Sequence, residues 1–307
     1  MARFYYCEDF VLPLPDDHRF PMAKYAQLRE RLLAEDVAAP TQLFVPEGAT
    51  DEQILLCHTP EYLHKVKHGF LTMKEVRRIG FPWSPEMIVR SRHSVGGTLG
   101  ACRSALSNGT GMNLAGGTHH ACPDHGEGFC VFNDVAISAR VLQKEGAVGN
   151  VAILDCDVHQ GNGTAAICAD DPTIFAFSIH GEKNFPFRKV AGDLDMGLPN
   201  DTGDEDYLQQ MRRGVTYALE QSQPDLAIFI AGADPYVGDR LGKLALTKAG
   251  LARRDQLVFD LCYERGIPVA VVMGGGYAPD ISDIVDIHLQ TARIVAQRSL
   301  EWDKIGR

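Results

Sequence analysis

Residues 151–163 read Val151-Ala152-Ile153-Leu154-Asp155-Cys156-Asp157-Val158-His159-Gln160-Gly161-Asn162-Gly163. A continuous apolar run is what a strand needs when both its faces are covered, the usual situation in parallel sheets. The run gives way at once to carboxylates, an imidazole and glycines. In open α/β sheets that edge, where strands meet their following loops, is where ligands bind. Four other segments, 112–114, 173–179, 226–230 and 267–273, repeat the pattern. They lead into Gly116-Gly117-Thr118-His119-His120, His180, Ala231-Gly232-Ala233-Asp234 and Gly274-Gly275-Gly276-Tyr277.

Helical periodicity fills the intervals. Asn133 is a cap for a helix with Ala136, Ala139 and Leu142 on one face, stopped by Gly146. In 204–221, Leu208, Met211, Val215 and Leu219 recur at the helical period. Thr247 opens a helix that carries Leu251, Val258, Leu261 and Cys262 and ends at Gly266. A last one bears Ile281, Ile284, Val285, His288, Ala292 and Val295. Alternation from about residue 110 onward predicts an α/β fold with a mostly parallel sheet covered by helices on both faces. The first hundred residues read as mainly helical, joined without a linker, so 1–307 is expected to be a single domain.

Composition narrows the class. The 307 residues are 45% hydrophobic and 23% charged, which excludes disordered, collagen-like and disulfide-scaffold proteins. Forty acidic residues against 30 basic give a formal charge of −10. That balance disfavours nucleic acid and anionic membranes, and mildly favours a cationic substrate. The N-terminus lacks a basic stretch followed by a long apolar one, and no run approaches the roughly 20 apolar residues of a membrane span. Eight cysteines contain no C-x-x-C pair. They are expected to be reduced and mostly buried, as in a cytoplasmic protein.

The strand-end residues together suit a metal-dependent amide hydrolase. Asp157 and His159, two apart on an extended segment, would share a side, and Asp234 supplies a third ligand from another strand end. One imidazole and two carboxylates leave open positions for water and a substrate oxygen. Zn²⁺ is the first expectation, and Fe²⁺ accepts the same donor set. His119 and His120 offer a proton acceptor and a proton donor, and the Tyr277 hydroxyl can meet a developing oxyanion. Each element also has a plain reading: capping carboxylates in a turn, filler histidines, a tight glycine loop. Their joint placement on one sheet edge favours chemistry.

These residues resemble the zinc-dependent histone deacetylase family of the arginase/deacetylase fold. The resemblance includes the early Asp17-His18-Arg19-Phe20-Pro21-Met22, Gly128-Phe129-Cys130-Val131-Phe132-Asn133-Asp134 and Gly238-Asp239-Arg240-Leu241-Gly242. Gln160-Gly161-Asn162-Gly163 and the short length look most like the class IV branch and its bacterial relatives. The resemblance implies Asp157, His159 and Asp234 as metal ligands, His120 as general base and acid, His119 as its electrostatic partner, and Tyr277 as oxyanion donor. It implies that Asp155 orients His119 and, with Ser178 and main-chain oxygens of Asp157, His159 and Ile179, holds a structural K⁺ or Na⁺. Gly128, Phe129 and Gly275 fall in the tunnel for the acyl-lysine stem, with Phe185 or Phe187 from the loop 184–187 on the other wall. Asn162 stands where class I enzymes carry an aspartate, so His120 is expected to be less basic than in those relatives.

The implied activity is removal of an acetyl or longer acyl group from a lysine side chain. An acetylpolyamine or a small acylated metabolite is the alternative substrate, with no nucleic acid or membrane partner. An arginase-type ureohydrolase would need a second metal, yet Pro235-Tyr236 follows Asp234 where further carboxylates would be wanted. A silent acyl-lysine-binding module would ordinarily lack a ligand or the tyrosine.

Overall fold

The computed structural model describes residues 1–15, 18–302 and 304. Asp17, the first residue of the early motif, lies outside them. Eight strands, β1 (Phe4–Tyr5), β2 (Leu43–Phe44), β3 (Thr110–Asn113), β4 (Val151–Asp155), β5 (Ile174–Gly181), β6 (Leu194–Leu198), β7 (Leu226–Ile230) and β8 (Val269–Val272), form one sheet in the order β2-β1-β3-β8-β7-β4-β5-β6. Every pairing is parallel. All five apolar segments read from the sequence are strands, and β3, β4, β7 and β8 are buried along their whole length. Sequence reading missed β1 and β2, each only two residues, and β6. The β6 strand lies at the sheet edge and alternates in burial, so it carries no continuous apolar run.

Helices α1 (Lys24–Ala34), α2 (Asp51–Ile54), α3 (Pro60–His68), α4 (Met73–Ile79) and α5 (Pro85–Asn108) make the N-terminal third mainly helical. Helices α6 (Asp134–Lys144), α7 (Asn162–Cys168), α8 (Asp204–Ser222), α9 (Lys248–Tyr263) and α10 (Ile281–Trp302) link or follow the later strands. One layer contains α5, α6 and α7, and the other α1, α10, α9 and α8. The caps sit where the sequence placed them: the Asn133 side chain accepts the N–H of Ala136 at 3.1 Å, and that of Thr247 accepts the N–H of Gly250 at 2.9 Å. The short α7, begun at Gly161, carried no readable apolar period.

Topology fixes the place of a site. From β4 the chain crosses through α7 to β5 on one side, whereas from β7 it crosses through α9 to β8 on the other. Loops leaving these adjacent strands therefore diverge, and such a switch point opens a crevice at the carboxyl edge. Among the described residues no helix is long and apolar enough to cross a membrane. All eight cysteines are free and buried, as the sequence suggested.

Candidate active site

At the end of β4 the chain bends instead of continuing extended. This corrects the basis on which Asp157 and His159 were expected to share a side. Two successive carboxylate turns shape the bend. An Asp155 oxygen accepts the N–H of Asp157 at 3.1 Å, and Asp157 Oδ1 accepts the N–H of His159 at 2.9 Å. The capping role of these aspartates and their convergence on a site are thus one arrangement. Asp234, from the end of β7, accepts the N–H of Val158 at 2.9 Å and ties the two loops together.

Ligand atoms of Asp157, His159 and Asp234 lie within 4.8 Å of one another, and all three residues are buried. His159 Nδ1 is 3.0 Å from Asp157 Oδ1 and 3.1 Å from Asp234 Oδ2. Burial opposes a charge on His159, but both carboxylates outweigh it and raise its pKa to about 10. Burial and the neighbouring Asp157 push the Asp234 carboxyl upward. Two buried carboxylates facing one imidazole thus draw positive charge into their midst, and the N/O donor set suits a divalent cation. Backbone comes unusually close here. A Cβ on Gly275 would stand 2.0 Å from Asp234 Oδ2, and one on Gly232 2.7 Å from Asp157 Oδ2. The Gly275 N–H itself donates to Asp157 Oδ2 at 2.6 Å. Among the described residues no fourth carboxylate joins this group, which leaves a bridged second metal without ligands.

The tandem histidines stand beside the trio with ring centroids 4.1 Å apart. His119 Nδ1 lies 2.6 Å from Asp155 Oδ2. Burial disfavours its charge, yet Asp155 and Asp157 prevail and raise its pKa to about 9. His120 Nδ1 meets Asn162 Oδ1 at 2.7 Å. Burial first, then the nearby His119 and His159, hold the His120 pKa well below its ordinary value. The orientation of the Asn162 amide is set from behind, because its Nδ2 donates to Glu127 Oε1 at 2.6 Å. Its oxygen must then face His120, so Nδ1 carries the hydrogen and Nε2 is bare. Burial and the carboxylates of Asp234 and Asp157 raise the Tyr277 pKa well above 10, so its hydroxyl stays protonated. The Tyr277 N–H is anchored on Asp239, which also accepts from Leu241 and Gly242.

Asp157, His159, His119, His120 and Tyr277 line a cavity of about 30 Å³ that shares part of its wall with an outer cavity of about 470 Å³. Gly275 and Asp157 belong to the inner one, Phe185 and Phe187 to the outer, and Gly128, Phe129, His120, His159 and Tyr277 to both. Phe185 is the inner phenylalanine, edge-on to His120 at 4.9 Å, while Phe187 is 87% exposed at the rim. Phe129 adopts a φ of 66°, and a Cβ on the preceding Gly128 would reach to 2.5 Å from the His120 ring. Ser178 pairs with Asp155 in the sheet register, and its hydroxyl meets His180 Nδ1 at 2.9 Å. His18 braces the early loop, with Nε2 2.8 Å from the Gly80 carbonyl.

Several neighbours escaped sequence reading. Glu127 lies 35 positions from the Asn162 it orients, and nothing in the pattern joins them. Buried Asp134 accepts from the N–H groups of Gly117 and Thr118 at 2.9 and 2.7 Å, fixing the loop that carries both histidines. On the cavity floor, Arg90 is buried against Phe20, Tyr25 and Phe81, donating to the Phe10 carbonyl and the Tyr25 hydroxyl. Buried Lys24 Nζ lies 5.1–5.6 Å from the ring centroids of Phe20, Tyr25 and Tyr277, with no hydrogen-bond partner among the described residues.

Comparison with known proteins agrees with this architecture. Residues 18–292 match the histone deacetylase domain. An uncharacterised protein of Picosynechococcus is 47% identical over 92% of this chain and 94% of its own. The acetoin utilization protein AcuC of Staphylococcus aureus is 30% identical over 85% of this chain and 73% of its own. Histone deacetylase 2 of Arabidopsis thaliana is 27% identical over 87% and 72%. The crystal structure of the HDA15 HD domain superposes with a TM-score of 0.81 at 22% identity, covering 99% of this chain and 93% of that one.

Proposed function

This chain belongs to the histone deacetylase family, and on that footing we propose that residues 1–307 form one metal-dependent deacylase domain that removes an acetyl or longer acyl group from lysine side chains. The observation that carries the reading is the buried trio Asp157, His159 and Asp234, two of whose members line one cavity with the imidazoles of His119 and His120 and the phenol of Tyr277. Zn²⁺ is the proposed ion, with Fe²⁺ chemically admissible. Asp157, His159 and Asp234 would hold that ion, which would supply acidification of a water to roughly pKa 7 and polarisation of the acyl carbonyl.

The remaining work falls to the side chains. His120, its Nδ1–H held on Asn162, presents a bare Nε2 that takes a proton from the attacking water and returns it to the departing amine. His119, charged against Asp155, adds a positive field beside His120 and the developing oxyanion. Tyr277 donates its hydroxyl hydrogen to that oxyanion. Gly128, Phe129 and Phe185 enclose the lysine stem and exclude water from it. A structural K⁺ or Na⁺ is proposed beside Asp155 and Ser178, which line a separate cavity of about 10 Å³. Eight buried free thiols support a cytoplasmic setting, and the Gln160–Gly163 segment a class IV-like affiliation.

The test is hydrolysis of a fluorogenic acetyl-lysine peptide by metal-loaded protein. Turnover that disappears in Asp157→Ala is expected. A metal-loaded wild type no faster than Asp157→Ala would remove the deacylase assignment.

A further inference from the structure

The described charged residues lining the outer cavity are mostly basic, in contrast to the acidic balance of the whole chain. Among the described residues the lining includes Arg19, Arg78, Lys183 and Lys243 against one acid, Glu127. The four basic residues are exposed. Glu127 is buried and already committed, to the Asn162 amide at 2.6 Å and to Arg78 Nε at 3.0 Å. Asp239, just behind, is taken up by three backbone N–H groups. Among the described residues Arg19, Lys183 and Lys243 have no carboxylate partner: Arg19 lies over the Phe129 ring and Lys243 Nζ donates to the Lys183 carbonyl. In a chain with formal charge −10, the described side chains lining this mouth are thus predominantly basic.

Resting on the deacylase reading, we propose that the mouth selects acyl-lysines flanked by acidic residues in a peptide or protein. Carboxylates on either side of the modified lysine meet Lys183 and Lys243 on one rim and Arg19 and Arg78 on the other. A polyamine would carry its own positive charges into the same field and be repelled. Phe187, 87% exposed beside Lys183, argues for a peptide over a small acylated acid, because a chain crossing the mouth covers that ring and a small molecule seated below leaves it bare. Such rim charges act mainly through steering and fade as salt shortens their range.

The experiment compares four substrates: acetyl-lysine peptides flanked by aspartates or by arginines, acetylspermidine, and a single acetyl-lysine capped with one aspartate. Values of kcat/KM are measured at about 30 and about 300 mM salt, spanning weak and strong screening. The acidic peptide should exceed the basic one and acetylspermidine by roughly tenfold or more at low salt, with the gap narrowing at high salt. The double variant Lys183→Glu/Lys243→Glu should invert that order. A wild type that prefers the basic peptide or acetylspermidine overturns the proposal, as does a double variant that keeps the original order. Equal use of the capped single residue overturns its peptide component. Fluorescence anisotropy of the two labelled peptides gives the same comparison without turnover. Loss of the deacylase reading is therefore separable from loss of this one.

Discussion

The amide of Asn162 stands between Glu127 and His120, donating from Nδ2 to the carboxylate at 2.6 Å and accepting from the imidazole at 2.7 Å. A carboxylate thus reaches the catalytic pocket through an amide, setting orientation without placing its charge against the ring. Glu127→Gln removes the fixed acceptor and lets the Asn162 amide turn over. Turnover should fall roughly 10- to 100-fold with KM little changed, as for other indirect positioning contacts. ¹⁵N shifts of the His120 ring should show a mixed tautomer. An unchanged tautomer would assign the amide orientation to something else.

Tyr277→Phe should lose roughly 10²- to 10³-fold in kcat while keeping metal content and affinity for a substrate-like inhibitor. The hydroxyl is held protonated, so its hydrogen is available at any working pH. Steady-state kinetics beside metal analysis separates this outcome from a folding defect.

Dialysis against a chelator should abolish turnover, and added Zn²⁺ or Fe²⁺ should restore it. Asp234→Ala should lose the metal under the same dialysis. Saturating metal should stabilise the wild type by about 4 kcal/mol at a thousandfold excess over Kd. No such shift should appear in the variant, where thermal denaturation with and without metal is the check.

Acyl length should be limited by the cavity floor. About 30 Å³ accommodates roughly two or three water-sized groups, and the buried cation Arg90 borders the cavity, with buried Lys24 behind the rings of Phe20, Tyr25 and Tyr277. Acetyl-lysine should therefore be favoured over an octanoyl-lysine by roughly tenfold or more, since each buried methylene must displace packed or charged groups. Arg90→Met should narrow the difference. A graded acyl series on one peptide, ranked by kcat/KM, decides it.

Stability should fall on the acid side through His58. Its Nε2 accepts the N–H of Asn133 at 2.9 Å, so its Nδ1–H donates to the Cys122 carbonyl at 2.9 Å. Protonation would set an N–H against an N–H, and burial lowers the pKa from 6.5 to about 4. The unfolded chain takes up the proton first. The stabilisation is intact above pH 6.5 and is lost progressively down to about pH 4, by about 3 kcal/mol. His58→Gln should flatten the denaturation curve over that interval relative to the wild type.

The later strands were legible because a fully covered parallel strand must be apolar throughout, as Leu226–Ile230 is. The edge strand β6 was not, since two of its five residues are exposed and only one is buried. Asp157, His159 and Asp234 were legible as a set because each follows a strand of the same sheet. Their geometry was not, because it depends on a bend held by N–H groups that any residue could supply. Glu127, Arg90 and Lys24 were invisible for a different reason: their importance lies in partners brought together only by the fold. Net charge describes the chain as a whole and not its mouth. The acidity of the chain suggested a cationic substrate, and the basic residues lining the outer cavity are the ground on which an acidic one is proposed instead.

Arg78 grips the same carboxylate that orients Asn162. On the proposed reading, substrate choice at the rim and proton transfer in the pocket would therefore share a joint. A change at Arg78 that alters which peptides dock also loosens Glu127, and with it the imidazole two hydrogen bonds away. Lys183 and Lys243 carry no such tether, so new specificities can be acquired on that rim while the Arg78 rim stays locked to turnover.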